Sequence, residues 1–200
     1  MRTRTYLDSD EVSEWVKDNY PNQWKAINEL DESERKALQW YKGPEGEDFT
    51  NYLRTGTSNV PGLHDEFDKY ADTIDDLINA SRIDQDTLLH RGVKFQRGDS
   101  LDDLLRVGTE FGDDAFTSTT LDERLAQDFA EGGGAVLDIR APQGTRGIFM
   151  DFTDEAIQLQ DDFIESEFLL PRSIEFRVVE RVTDGVAPGI DRIVLELIDG

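Results

Sequence analysis

Two hundred residues are enough for one domain with a real core, and 37% hydrophobic content beside 32% charge argues against a disordered tail. The absence of cysteine removes disulfides, thiolate metal sites and a cysteine nucleophile, and with only His64 and His90 a histidine-based zinc site is not expected either, so no metal is implied. A formal net charge of −23 argues against nucleic acid as an obligatory partner, because phosphate repels such a surface.

The acidic excess is of a particular kind: Asp outnumbers Glu 27 to 17, and Arg outnumbers Lys 15 to 6. An Asp-rich, Lys-poor surface suits concentrated salt, where screening is short-ranged, and points to a halophilic setting. No apolar stretch reaches the ~18 residues of a membrane span, and residues 1–10 lack the apolar core of a secretory signal. The expected location is the cytoplasm, the cell's own or a host's after delivery, with no membrane partner.

The first 82 residues read as helices. Asp8 and Ser9 can cap a helix carrying Val12, Trp15 and Val16 on one face, and Trp24, Ile27 and Leu30 suggest another. Asp31 with Glu34 forms a capping-box pattern for a helix bearing Ala37, Leu38 and Tyr41, which ends before the Gly43-Pro44 break. Phe49 to Leu53 predicts a short helix, followed by the loop Gly56 to Gly62. The clearest helix is Leu63 to Ala80, with Leu63, Phe67, Tyr70, Ala71, Ile74, Leu77 and Ile78 at helical spacing.

From residue 83 onward the pattern changes to short β-rich runs: Leu88–Val93, Ala115–Ser118, Ala135–Arg140, Gly147–Met150, Glu165–Leu170, Ile174–Val179 and Arg192–Leu197. One helix interrupts them, predicted to be capped by Thr120 with Glu123 and ended by the triple glycine 132–134. The expected architecture is α+β, with a helical part (1–82) packed on a β-rich core (83–200).

Chemistry concentrates in three segments. In Glu165-Ser166-Glu167-Phe168-Leu169-Leu170-Pro171-Arg172, two carboxylates stand at i and i+2. On a strand they would share a face roughly 7 Å apart, an arrangement that costs free energy through repulsion and desolvation. In Leu88-Leu89-His90-Arg91-Gly92-Val93, an arginine lies mid-strand among apolar residues and needs a carboxylate or phosphate partner. His90 alternates to the opposite face and reads as structural. In Phe116-Thr117-Ser118-Thr119-Thr120-Leu121, hydroxyls cluster where a strand meets a helix.

In this order, the three segments resemble the Arg, Ser and Glu motifs of mono-ADP-ribosyltransferases of the Arg-Ser-Glu class, which includes bacterial toxins, phage enzymes and arginine-specific vertebrate enzymes. The resemblance covers residues from about 85 to 200, with Thr120 replacing the last serine of the second motif, and the N-terminal 80 residues match more loosely. It implies a split antiparallel β-sandwich core and NAD as co-substrate. Arg91 would meet the NAD phosphates and Gly92 the nicotinamide amide. Ser118 would position Glu167 and the ribose, and Thr119 belongs to the same cofactor-binding segment, although scaffolding explains both it and Thr120 as well. Phe129 falls roughly where relatives stack an aromatic on nicotinamide, and its spacing from Leu125 suits core packing equally.

Glu167 would stabilise the oxocarbenium-like charge that builds on the ribose as nicotinamide leaves. Glu165 would engage the acceptor; in the resembled class a glutamate here goes with arginine. Residues Asp151 to Ile164 match the target-contacting loop, with Phe152 and Phe163 as candidate aromatics and Asp154, Glu155, Asp161 and Asp162 suiting a basic partner. The resulting expectation is transfer of ADP-ribose from NAD to an accessible arginine on a target protein, with nicotinamide release. An NAD glycohydrolase toxin and a non-catalytic binding or structural module of the same fold are the alternatives. A glycosidase fits poorly, because its two carboxylates must flank the scissile bond from different sides.

Overall fold

The computed structural model describes residues 15–60, 62–150 and 166–198. Residues 15–19 are helical, and four helices follow: α1 (Pro21–Asn28), α2 (Glu32–Lys42), α3 (Gly46–Thr55) and α4 (His64–Ala80). The proposed Asp8/Ser9 cap and Val12 lie outside the described residues. The capping box of α2 forms as expected. Asp31 accepts from the Ser33 and Glu34 amides, and the Glu34 carboxylate accepts from the Asp31 amide, satisfying donors the helix itself cannot pair. Helix α4 buries Phe67, Tyr70, Ala71, Ile74, Leu77 and Ile78, the face its periodicity predicts.

The remaining elements are β1 (Thr87–Lys94), α5 (Ser100–Leu104), β2 (Glu110–Asp113), β3 (Thr117–Thr120), α6 (Glu123–Ala130), β4 (Gly134–Ala141), β5 (Ile148–Phe149), β6 (Glu167–Leu170), β7 (Ile174–Ala187) and β8 (Ile190–Ile198). The strands run in the order β2-β7-β8-β4-β1-β3-β6-β5. Pairing is antiparallel except between β4 and β8, which lie parallel with Gly134 opposite Ile190. The sheet is continuous but divided. Strands β1 and β4 pair over eight residues, whereas β1 and β3 share one registered pair, His90 opposite Thr120. The division between the two parts of the sheet falls there.

Strand β6 is covered on both faces. Phe168 and Leu170 belong to a core with Phe149, Leu89, Ile139 and Phe176, while the intervening Leu169 belongs to a second core with Phe49, Phe67, Ile74 and Phe116 from the helices and the approach to β3. All three are fully buried, each contributing about 1.5–3 kcal/mol in removing apolar surface from water. Gln23 on α1 ties the helices to the short strand β5. Its amide donates to the Arg82 and Gly147 carbonyls at 2.9 and 2.7 Å and accepts from the Phe149 amide at 3.0 Å.

Three details depart from the sequence reading. The cap of α6 is Asp122, which accepts from the Arg124 amide; Thr120 ends β3 and accepts from the Asp122 amide instead. Glu123, released from capping, turns to Arg192, which also reaches Asp138 at 2.7 Å. Strand β6 begins at Glu167 rather than Glu165, because Ser166 takes a left-handed backbone conformation (φ 47°) and gives its carbonyl to the Leu121 amide at 2.9 Å.

Candidate active site

Helices α2 and α3 meet at a tight corner that the glycines permit. A Cβ on Gly46 would stand 2.1 Å from the Tyr41 carbonyl oxygen, and one on Gly43 2.8 Å from that of Gln39. The corner turns the end of α2 toward the sheet, so that Lys42 meets Glu167 at the start of β6. A cleft of about 450 Å³ opens there, lined by Tyr41, Lys42, Glu47, Asn51, Arg54 and Glu167 among others.

Glu167 is 4% exposed, at the end of β6 where the apolar strand gives way to the cleft. Ser118 and Glu167 lie on the same face of neighbouring strands, with Thr120 opposite Glu167 in the register. The Ser118 hydroxyl donates to Glu167 Oε1 at 2.7 Å, and Lys42 Nζ lies 3.4 Å from Oε2. Such support is what a nearly buried carboxylate needs.

Arg91 projects from β1 across the division, its guanidinium donating to the Ser118 carbonyl at 3.1 Å. Burial pulls its pKa below the usual arginine value, while Tyr41, Asp113 and Glu167 push the other way and Arg54 adds to the lowering; an arginine remains a cation throughout. Tyr41 behaves inversely. Burial raises its hydroxyl well above the ordinary phenol range, the Glu167 charge adds to that, and Arg91, the hydrogen bond with Ser118 and Arg54 oppose it. Tyr41 thus stays a neutral hydroxyl in the cleft wall, packed edge-on against Phe116. Arg54 is closed on Asp113 by a two-pronged pair at 2.8 and 2.6 Å.

Hydrogen bonds therefore link Arg91 to the Ser118 carbonyl and the Ser118 hydroxyl to Glu167, and Glu167 lines the cleft. Gly92 and Phe129 lie on the neighbouring face of β1. A Cβ on Gly92 would stand 2.1 Å from the Ala126 carbonyl oxygen and 2.6 Å from Phe129 Cβ, so the glycine is what lets α6 lie flat on β1. Gly92→Ala is expected to cost about 1–3 kcal/mol through overpacking, read as a lower thermal midpoint. Phe129 is 55% exposed, and its neighbours Leu125, Ala126 and Ala130 supply the buried face of α6 in its place. Thr119 points away from Ser118. It is 3% exposed and its hydroxyl donates to the Phe168 carbonyl at 2.6 Å, so geometry gives it to the β3–β6 scaffold rather than to the cleft. His90 likewise turns from Arg91 and meets Asp138 at 2.8 Å. Glu165, Phe152 and Phe163 lie outside the described residues. Among the described residues no cluster of three or more His, Cys, Asp or Glu side chains is placed to hold a metal ion.

A profile of the ADP-ribosyltransferase exoenzyme family matches residues 12–199. The chain belongs to that family. No curated protein sequence matches it. The fold of this ADP-ribosyltransferase is that of solved bacterial relatives at low identity. The C3 exoenzyme of Clostridium limosum aligns with a TM-score of 0.70 and 18% identity over 100% of this chain and 98% of its own. Plx2a, an ADP-ribosyltransferase toxin from Paenibacillus larvae, gives 0.69 and 17% over 97% and 100%. The ADP-ribosylating toxin BECa of C. perfringens, solved with NADH, gives 0.70 and 18% over 96% of this chain and 48% of its own. The family acts on protein targets using NAD. No helix among the described residues of this ADP-ribosyltransferase is long and apolar enough to cross a membrane.

The sequence reading missed the wall of the cleft formed by Tyr41, Lys42 and Arg54. Its signal was the Gly43-Pro44-Glu45-Gly46 corner, which throws the end of α2 inward.

Proposed function

We propose that this chain cleaves the bond between nicotinamide and ribose in NAD and transfers the ADP-ribose to an arginine side chain of a target protein. The observation that carries the reading is the Ser118–Glu167 hydrogen bond at 2.7 Å, with Glu167 lining the cleft and Arg91 donating to the Ser118 carbonyl at 3.1 Å. Nicotinamide leaves with the electron pair of the glycosidic bond, and positive charge passes to the ribose. A carboxylate already oriented and largely desolvated stabilises that charge without reorganising. Ser118 fixes one carboxylate oxygen. Arg91, behind Ser118, and the cleft cations Lys42 and Arg54 suit the dinucleotide's phosphates.

Gly92 and Phe129, side by side on β1 and α6, would receive the nicotinamide ring, the glycine by its backbone and the phenylalanine by its exposed face. Glu165, two residues before Glu167, would bind the acceptor guanidinium and accept its proton. Thr119 supports β3 without touching the dinucleotide. The N-terminal helices (1–82) and β-rich part (83–200) would act together, since Tyr41 and Lys42 close the cleft over strands of the second part. The acidic, Asp-rich composition supports a setting of concentrated salt.

Labelled NAD incubated with the purified chain and cell lysate, in dilute and in molar salt, tests the reading. Label on protein arginine, located by mass spectrometry and strongest in high salt, is expected. Nicotinamide release without protein label would make the chain a glycohydrolase, and neither product at any salt concentration would overturn catalysis.

A further inference from the structure

Lys42 is the last residue of α2, and its ammonium lies 3.4 Å from Glu167 Oε2, the carboxylate oxygen that Ser118 does not hold. Both side chains are nearly enclosed, 13% and 5% exposed. Two of the residues lining the cleft are cations, Lys42 and Arg54. Arg54 has its planar fork occupied by Asp113. The Lys42 contact is long for a charged pair, and an ammonium on a four-carbon stem can swing to a new partner without any movement of the helix.

A cation that stayed on Glu167 throughout the reaction would oppose the positive charge growing on the ribose. We propose that Lys42 is a positioning residue that pairs with Glu167 until the dinucleotide's pyrophosphate enters the cleft, then transfers to that phosphate and leaves the carboxylate to the ribose. The inference rests on the reading that the cleft takes NAD. No covalent bond changes in this step; one charge pair is exchanged for another. In the empty cleft the pair keeps a nearly buried carboxylate compensated. In the loaded cleft the doubly charged pyrophosphate is the stronger attractor at short range. The substrate's remote phosphates thereby unmask the group that acts on its ribose, a case of distant binding energy applied at the reacting carbon.

The test compares the wild type with Lys42→Met and Lys42→Arg on two substrates, NAD and nicotinamide riboside, the second carrying the same scissile bond without phosphate. In Lys42→Met, kcat/KM for NAD is expected to fall about tenfold to a hundredfold, mostly through KM, as for loss of one charge-assisted contact. That for nicotinamide riboside should hold or rise, and Lys42→Arg should recover most of the activity toward NAD. A parallel fall for both substrates would overturn the proposal, since loss of scaffolding acts on both alike.

Calorimetric titration with ADP-ribose at several salt concentrations gives an independent answer. Weaker binding with a shallower salt dependence in Lys42→Met supports the transfer, and unchanged affinity and slope overturn it. This second measurement stands even if the wild type releases no nicotinamide, an outcome that would sink the proposed activity separately. Lys42→Gln serves in both assays if the methionine variant does not fold.

Discussion

Glu167→Gln is expected to lower nicotinamide release from NAD by roughly 10²–10³-fold or more, and protein labelling with it. The amide has nearly the same shape, so Ser118 can still meet an oxygen at Oε1 and the β3–β6 register need not change. What disappears is the negative charge facing the ribose. Removing it also leaves the Lys42 ammonium without the carboxylate it meets at 3.4 Å, so some loss of thermal stability accompanies the change. Binding of ADP-ribose is the control. A variant that binds ADP-ribose like the wild type yet releases almost no nicotinamide has lost a term that acts in the transition state alone. Retention of more than about a tenth of the wild-type rate would remove Glu167 from the chemistry.

Glu165→Gln is expected to separate the two halves of the reaction. Transfer to a guanidine acceptor should fall by about 10²–10⁴-fold, the range typical of losing a general base, while hydrolysis of NAD by water persists at a measurable rate. An arginine guanidinium is protonated at any physiological pH and must be both held and deprotonated to act as a nucleophile, whereas water needs less help. Ser166 takes a left-handed conformation immediately before β6, and Glu167 opens the strand on the face it shares with Ser118. Nicotinamide release and label incorporation, followed in the same reaction, give the answer. Equal loss of both would show that one site serves both steps.

Much of the site could be read from residues 88–93, 116–121 and 165–173, because each segment carries its chemistry on a strand whose apolar neighbours force a definite face. Arg91 and Ser118 obey that alternation, as does His90 in turning the other way. In the third segment the strand begins at Glu167, since Ser166 takes a left-handed conformation, and Glu165 lies outside the described residues. Tyr41 was legible only as an apolar-face residue of α2, beside Ala37 and Leu38. Its role in the wall depends on the angle of the α2–α3 corner, which follows from the close approach permitted at Gly43 and Gly46. Strand β2 and helix α5 escaped notice because both are short and rich in acidic residues, their position being set by partners far along the chain, Arg177 for Glu110 and Arg181 for Asp102. The parallel contact of β4 with β8 could not be read locally either, as it joins segments more than fifty residues apart.

The candidate site draws on positions 41–42, 91, 118 and 167, which no local run of sequence unites. Its formation therefore waits on the slowest, most distant closures of the chain. A truncated product carrying the three motifs but lacking the first forty-odd residues would have no wall opposite its glutamate.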